Sequence, residues 1–362
     1  MAALGALEPI KRFFQTKDRA DISNTSFTLH KWTAVVLLSF SILTTSSQMF
    51  GDPIHCHLDH DTISQDVFKA FCWMSSTHTM AVDSNSSHLH SGVGQGLGRE
   101  DERNIFHSYY QWVSLFLVLQ AAACYTPWGA WKRAEDGRVG RLLARVSQDP
   151  LTETPVEEQV ASLGAFLLSH PSWYSASAFK LLLCQAACLL NCLAQLLVMD
   201  LLFGGQFLSL GFLVQDFSTL SQSLLTVFPR VVICTMEVFG PTGQHVNKSG
   251  ICVLPINTVN EKIFLALWFW FMFLALVSLL QLILEAGLLV PSLRPCLSSG
   301  LSSTLLPPRK VQALLARSSH GDTVLLQLLA TNCDYSQFSA LARHLLKEPQ
   351  MPQHNRLEEG TL

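Results

Sequence analysis

The stretch Ile105–Trp131, IFHSYYQWVSLFLVLQAAACYTPWGAW, decides the fold class of this chain. It begins with a cluster of aromatic residues, continues through a run without charged side chains, and ends on Pro127-Trp128-Gly129-Ala130-Trp131. Tyr and Trp favour the membrane–water interface because each ring has an apolar body and a polar tip. A helix needs about 20 uncharged residues to cross the hydrocarbon. The stretch therefore predicts a transmembrane helix over residues 105–130, although a buried helix in a soluble core has the same pattern.

The rest of the chain favours the membrane. Only 14% of the 362 residues are charged and 49% are hydrophobic. Further apolar spans are predicted at residues 32–50, 179–203 and 263–290. We expect an N-terminal segment at residues 1–31 before the first span and a helical tail at residues 291–362 after the last. Between the spans we expect a long loop at 51–104, a middle loop at 131–178 and a second long loop at 204–262. No cleavable signal peptide is predicted, because the first apolar run follows a long polar and basic segment.

The basic residues and the cysteines agree on topology. Eighteen of the 24 Lys and Arg residues lie in the N-terminal segment, the middle region up to Lys180 and the tail. These parts are therefore predicted to be cytoplasmic, which leaves residues 51–104 and 204–262 outside the cell. Each of these two loops holds two cysteines, in the compartment where disulfides persist; they are Cys56, Cys72, Cys234 and Cys252. Three pairings are possible, and we expect bonds that join the two loops.

The predicted fold class is thus an all-α membrane protein. It has four transmembrane helices, two disulfide-bonded extracellular loops and a helical cytoplasmic domain.

Two motifs point to a family. The pentapeptide Tyr109-Tyr110-Gln111-Trp112-Val113 resembles the motif at the head of the second transmembrane helix in innexins, the invertebrate gap-junction proteins related to vertebrate pannexins. The more specific match is Phe228-Pro229-Arg230, then Cys234, then Cys252-Val253-Leu254-Pro255-Ile256-Asn257, then Asn260-Glu261-Lys262-Ile263-Phe264. The chain departs from the family at Ser114, where innexins usually have Pro, and at Gln185, where Glu is common.

The resemblance implies a channel function. Innexin subunits form large-pore hemichannels that dock between cells and pass ions and small solutes. The family implies a ring of eight subunits, homomeric or heteromeric, with membrane lipid and an opposing hemichannel as partners. It also implies that the N-terminus folds into the pore entrance, with the pore-entrance candidates Leu4, Leu7, Ile10 and Phe14. An amphipathic helix that lies on the inner membrane surface would show the same spacing, so both alternatives stay open.

Other functions are disfavoured. No side chains converge as a nucleophile, base and oxyanion site, so we predict no enzyme activity and no cofactor. No basic patch indicates a nucleic-acid partner. A non-docking, pannexin-like hemichannel remains the main alternative. A four-span adhesion or scaffold protein is the second, but the Cys-Cys-Gly motif of tetraspanins and the tryptophan-rich first loop of claudins are not found.

Two local features bear on the extracellular loops. The cluster His55-Cys56-His57-Leu58-Asp59-His60-Asp61 carries zinc-ligand types, but they are too crowded for one tetrahedral ion and Cys56 is expected in a disulfide. A structural loop is therefore favoured over a weak zinc or proton site, and no metal is predicted. Sequons begin at Asn85 and Asn247. A glycan on Asn247 would hold opposing loops apart, so we expect that residue to be unmodified in junctions.

Overall fold

The computed structural model describes residues 20–58, 63–80, 104–146, 156–170, 173–212, 217–240, 242–298 and 307–347. Four of its helices are long and apolar enough to cross a membrane: α1 (Thr25–Phe50), α3 (Val113–Glu135), α6 (Ser175–Leu202) and α9 (Pro255–Gly287). The predicted four-span architecture is confirmed. The described residues of the predicted pore-entrance segment begin only at Ala20, so Leu4, Leu7, Ile10 and Phe14 lie outside them.

The remaining helices connect these spans or follow them. They are α2 (Gln65–Met74), α4 (Arg138–Val146), α5 (Val156–Ser169), α7 (Phe207–Leu210), α8 (Phe217–Val227), α10 (Arg294–Leu297), α11 (Pro308–Arg317), α12 (His320–Asn332) and α13 (Tyr335–Lys347). The last three lie in the helical tail that the sequence predicts.

Among the described residues, the two long loops form a five-stranded antiparallel sheet, which the sequence pattern does not predict. Its strands are β1 (His55–His57), β2 (Thr77–Met80), β3 (Asn104–His107), β4 (Val231–Phe239) and β5 (His245–Val253). Their order in the sheet is β1-β5-β4-β2-β3. Strands from the first loop therefore lie at both edges, with the hairpin of the second loop between them.

The beginning of the second membrane helix differs from the predicted span at residues 105–130. Residues 104–107 form β3, Tyr109–Gln111 form a 3-10 turn, and the helix itself begins at Val113. Backbone pairing of β3 with β2 holds the first residues in an extended conformation. At the other end α3 continues past Pro127 to Glu135, and Asp136 and Gly137 follow it with φ of 54° and 66°. Two successive left-handed residues end the helix sharply.

The chain divides into two compact units. The disulfide-bonded unit comprises residues 29–126 and 188–277, and the helical unit comprises residues 1–28, 127–187 and 278–362. In the disulfide-bonded unit, the aromatic rings of Phe203, Phe228 and Phe264 form a cluster within a larger apolar core. Phe203 lies 4.9 Å from Phe228 and 4.8 Å from Phe264, measured between ring centroids. These contacts join the end of α6, the end of α8 and the first turns of α9.

The helical unit is held by polar contacts as well as by apolar packing. Trp131 donates its indole N–H to the carbonyl of Ile22 at 3.0 Å. Asn332 at the end of α12 exchanges two hydrogen bonds with the backbone of Asp21, at 2.6 and 2.8 Å. The segment before α1 is thereby fixed to the tail, because a side-chain amide satisfies both the N–H and the C=O of one residue.

Candidate functional site

The sheet that the two loops build is the candidate functional site. Its strand pairings join the two loops: the β4–β5 hairpin of the second loop pairs with β1 on one side and with β2 on the other. Neither loop could form this sheet alone, since the first loop supplies both edges and the second supplies the centre. The two loops therefore fold as one structure.

Both disulfides cross between the loops. Cys56 on β1 bonds to Cys252, its direct register partner on β5. Cys72 on α2 bonds to Cys234 on β4. The sequence separations are 196 and 162 residues. In the chain-entropy model each closure of this length contributes up to about 5 kcal/mol, less where membrane helices already restrict the unfolded chain. The prediction of disulfide-bonded loops is confirmed, and the structure selects one of the three pairings.

The aromatic pentapeptide lies where the loops meet. The Tyr109 hydroxyl donates to the carbonyl of Val227 at 3.2 Å, and its ring lies 5.3 Å from Phe203. Tyr110 is fully buried, with its ring 5.2 Å from Trp73 on α2. Burial raises the pKa of both tyrosines, so both stay protonated. These two residues are core residues of the loop structure.

The other three residues of the motif take different positions. The Gln111 side chain donates to the backbone carbonyl of Trp73. Trp112 is 61% exposed, and Val113 is buried in the core of the membrane helices. Of the five, Trp112 alone has the exposed position that an interfacial aromatic residue would take.

The second motif fixes the beginning of β4 to the beginning of α9. Asn257 is buried and donates its side-chain amide to the carbonyl of Pro229 at 2.8 Å. The N–H of Leu254 donates to the carbonyl of Arg230 at 2.8 Å. The Arg230 guanidinium lies 2.7 Å from the carboxylate of Glu261. Hydrogen bonds and an ion pair thus connect the two ends of the motif. The polar residues Asn257, Arg230 and Glu261 have partners here, which explains why they occur at a membrane boundary.

One row of side chains crosses the outer face of the sheet. Register pairs place Phe106, His78, Ile233, Ile251 and His57 side by side on β3, β2, β4, β5 and β1. Phe106 is 66% exposed and Ile251 is 50% exposed. Directly opposite residues point to the same face of a sheet. The row is therefore a continuous apolar and imidazole surface that the sequence alone does not reveal.

A buried histidine lies on the other face of the same strands. His107 accepts or donates a 2.9 Å hydrogen bond at its Nε2 with Thr79. Burial, with a smaller effect of the neighbouring His78, lowers the pKa of His107 to about 4. It is therefore neutral at physiological pH.

The β4–β5 hairpin ends in an exposed tip. Phe239 is 74% exposed, and its ring lies 4.7 Å from His245 across the hairpin. Asn247 is exposed on β5, opposite Glu237. The other sequon residue, Asn85, lies outside the described residues.

The structure describes only part of the metal-like cluster at residues 55–61. His55, Cys56 and His57 form β1, and Asp59, His60 and Asp61 lie outside the described residues. The Cys56 sulfur is in a disulfide, so it cannot act as a thiolate ligand. The described part of the cluster is therefore a short strand with a disulfide. The absence of a metal site remains a prediction.

Comparison with known proteins gives one family. The innexin family model matches residues 23–349. Innexin inx1 of Schistocerca americana is 33% identical over 343 residues, which is 92% of this chain and 94% of the relative. Innexin inx2 of Drosophila melanogaster is 32% identical over 93% of this chain and 94% of its own length, and innexin shaking-B of the same fly is 31% identical over 91% of each. This chain therefore belongs to the innexin family, whose members are subunits of gap-junction channels.

Proposed function

We propose that this subunit forms hemichannels that dock through the sheet built by its two disulfide-bonded loops. The observation that carries the proposal is one sheet in which the hairpin of the second loop lies between strands of the first loop, with two disulfides between the loops. Docking restricts the motion of the loops that form the contact, which costs conformational entropy. A surface that is rigid before binding loses less of this entropy. A stiff sheet is therefore well suited to join two hemichannels.

The proposed orientation places both termini and residues 131–178 in the cytoplasm. Two facts support this orientation. Lys and Arg are in excess in those parts, and both disulfides lie between the loops at 51–104 and 204–262, on the other side of the membrane. The oligomer is proposed to be the eightfold ring that the family implies, made of identical or mixed innexin subunits and surrounded by lipid. No enzyme activity is part of the proposal.

The proposed conduit is lined partly by α1 and the N-terminal segment. Several residues with hydroxyl side chains lie in the second half of α1. Ser41 and Thr44 are buried, and Ser41 donates to the carbonyl of Ser114 at 2.9 Å, which is helix packing. Ser39 and Ser46 are exposed on the subunit surface and seven residues apart, so they share one face. That face can contact water in a pore.

A non-docking hemichannel is the second candidate. Its supporting observation is the exposed Asn247 at the hairpin, where a glycan would obstruct an opposing loop.

Dual voltage clamp of paired cells that both express the subunit separates the two. The docking proposal predicts junctional current and no glycosidase-sensitive mobility shift assigned to Asn247 by the Asn247→Gln variant. Membrane current in single cells without junctional current, together with such a shift, would support the non-docking channel and refute docking.

A further inference from the structure

A cleft opens beside the first turns of α9, in the disulfide-bonded unit. Its volume is about 240 Å³. The walls are leucines: Leu220, Leu224 and Leu225 from α8 and Leu265 from α9. Leu220 and Leu224 are one turn apart and both buried, so they form one apolar face. The cleft is therefore shaped for a hydrocarbon group.

The mouth of the cleft is charged. The side chain of Glu261 is only 3% exposed. One of its carboxylate oxygens accepts a hydrogen bond from the Arg230 guanidinium and the other accepts one from the Lys262 ammonium, each at 2.7 Å. Two cations on one carboxylate leave a net positive charge at the mouth. Arg230 and Lys262 are 45% and 66% exposed.

The two cations keep unused hydrogen-bond donors. A guanidinium has five N–H groups and an ammonium has three. Among the described residues, each of these side chains bonds only to Glu261. The remaining donors can serve an acceptor-only group with negative charge.

We infer that this cleft binds one phospholipid, with an acyl chain against the leucines and its phosphodiester on Arg230 and Lys262. A phosphodiester carries one negative charge and only acceptor oxygens, which matches the net charge and the free donors. The mouth also lies at the beginning of a membrane-spanning helix, where lipid head groups are found. The inference rests on the membrane span and does not require docking.

Photolabelling of the full-length oligomer in phosphatidylcholine nanodiscs tests the inference. The probe is phosphatidylcholine with a diazirine in one acyl chain, and labelled peptides are mapped by mass spectrometry. We expect labelling at Leu220, Leu224, Leu225 or Leu265. The variant R230Q/E261Q/K262Q removes the charges without leaving a buried carboxylate unpaired, and it should reduce labelling about tenfold. The matched control K248Q, on β5, should leave labelling unchanged.

A second variant acts on the apolar wall alone. L265W fills the cleft and keeps all three charges, and it should also suppress labelling, with an unchanged size-exclusion profile as evidence of folding. Equal labelling of the wild type, the triple variant and L265W would overturn the inference. A disulfide between two copies of the chain that carry L265C, together with no lipid label in the wild type, would assign the cleft to a subunit contact and overturn the inference. Competition by a free fatty acid as strong as by phosphatidylcholine would refute the role of the phosphodiester.

Discussion

The two units of this subunit are stabilised in different ways. The disulfide-bonded unit has all four bonded cysteines and a sheet whose strands come from both loops. All three cysteines of the helical unit, Cys184, Cys296 and Cys333, are unbonded, and burial raises the pKa of Cys333 to about 11. In the helical unit, side chains such as Asn332 and Arg294 satisfy backbone groups near the helix ends. Covalent closure is thus found where short strands must keep one geometry, and ordinary packing suffices where helices satisfy their own backbone.

Arg294 shows how the helical unit manages without cross-links. Its guanidinium is buried and donates to the carbonyls of Leu288, Leu289 and Ser318, at 2.8, 3.4 and 2.6 Å. Leu288 and Leu289 follow the last residue of α9, and Ser318 follows α11. One cation therefore caps two helix ends, where carbonyls have no partner within the helix.

The largest expected effect is the loss of a disulfide. C72S/C234S should destabilise the sheet by about 2–5 kcal/mol and accelerate hydrogen exchange in β4 and β5. Exchange in α12 and α13 should not change. The matched control C296S/C333S alters two unbonded cysteines of the helical unit and should leave β4 and β5 protected. Equal deprotection of both units in C72S/C234S would refute the distinction between them.

The next effect concerns Arg294. R294M removes the donor for three carbonyls and should cost about 2–4 kcal/mol, seen as faster exchange in α11 and at the end of α9. Arg309 is exposed on α11, so R309M is the matched control and should have little effect. If R294M were as stable as R309M, the capping role would be wrong.

A smaller effect is expected at Gly321 in α12. A Cβ there would lie 2.4 Å from the backbone N of Ser175, so G321A must displace α12 from the beginning of α6. We expect a cost of about 1–3 kcal/mol, measured as a lower thermal midpoint of the solubilised oligomer. At Gly240 the nearest atom is a side-chain methyl of Val246 at 3.2 Å, so G240A should be milder. The reverse order of the two variants would contradict the packing described for α12.

The smallest effect is a pH dependence in the disulfide-bonded unit. The pKa of His107 is about 4 in the folded chain against an ordinary value of 6.5. The unfolded state therefore binds a proton first as the pH falls, so stability is lost between pH 6.5 and 4. Exchange of β2 and β3, corrected for its intrinsic pH dependence, should accelerate from pH 7 to 5. H107Q should weaken that trend, whereas H245Q at the exposed hairpin tip should not.

The sequence predicts the parts of this fold that depend on local pattern. The four apolar spans and the distribution of basic residues give the membrane architecture, because both signals are contained in short windows. The four bonded cysteines follow from topology. The sheet is different: β1 has three residues, and β2 and β3 have four each. Such short strands carry too little alternation to recognise, and their partners lie far away in the sequence.

Tyr109 and Tyr110 illustrate the same limit within the site. Next to an apolar span, two tyrosines indicate a membrane interface, and only the fold of the loops buries them. The contacts that hold them are long-range: Gln48 of α1 donates to the carbonyl of Tyr110 at 3.0 Å, and the Tyr109 hydroxyl donates to the carbonyl of Val227. Such contacts join residues distant in sequence, so no short window contains them.

The most direct test of the account is junctional conductance between unlike cell pairs. One cell expresses the wild-type subunit, and the other expresses wild type, C72S/C234S or C296S/C333S, with surface density matched by biotinylation. If the cross-linked sheet is the docking surface, pairs with C296S/C333S conduct like wild type and pairs with C72S/C234S do not conduct. Normal conductance in pairs with C72S/C234S at equal surface density would contradict the account.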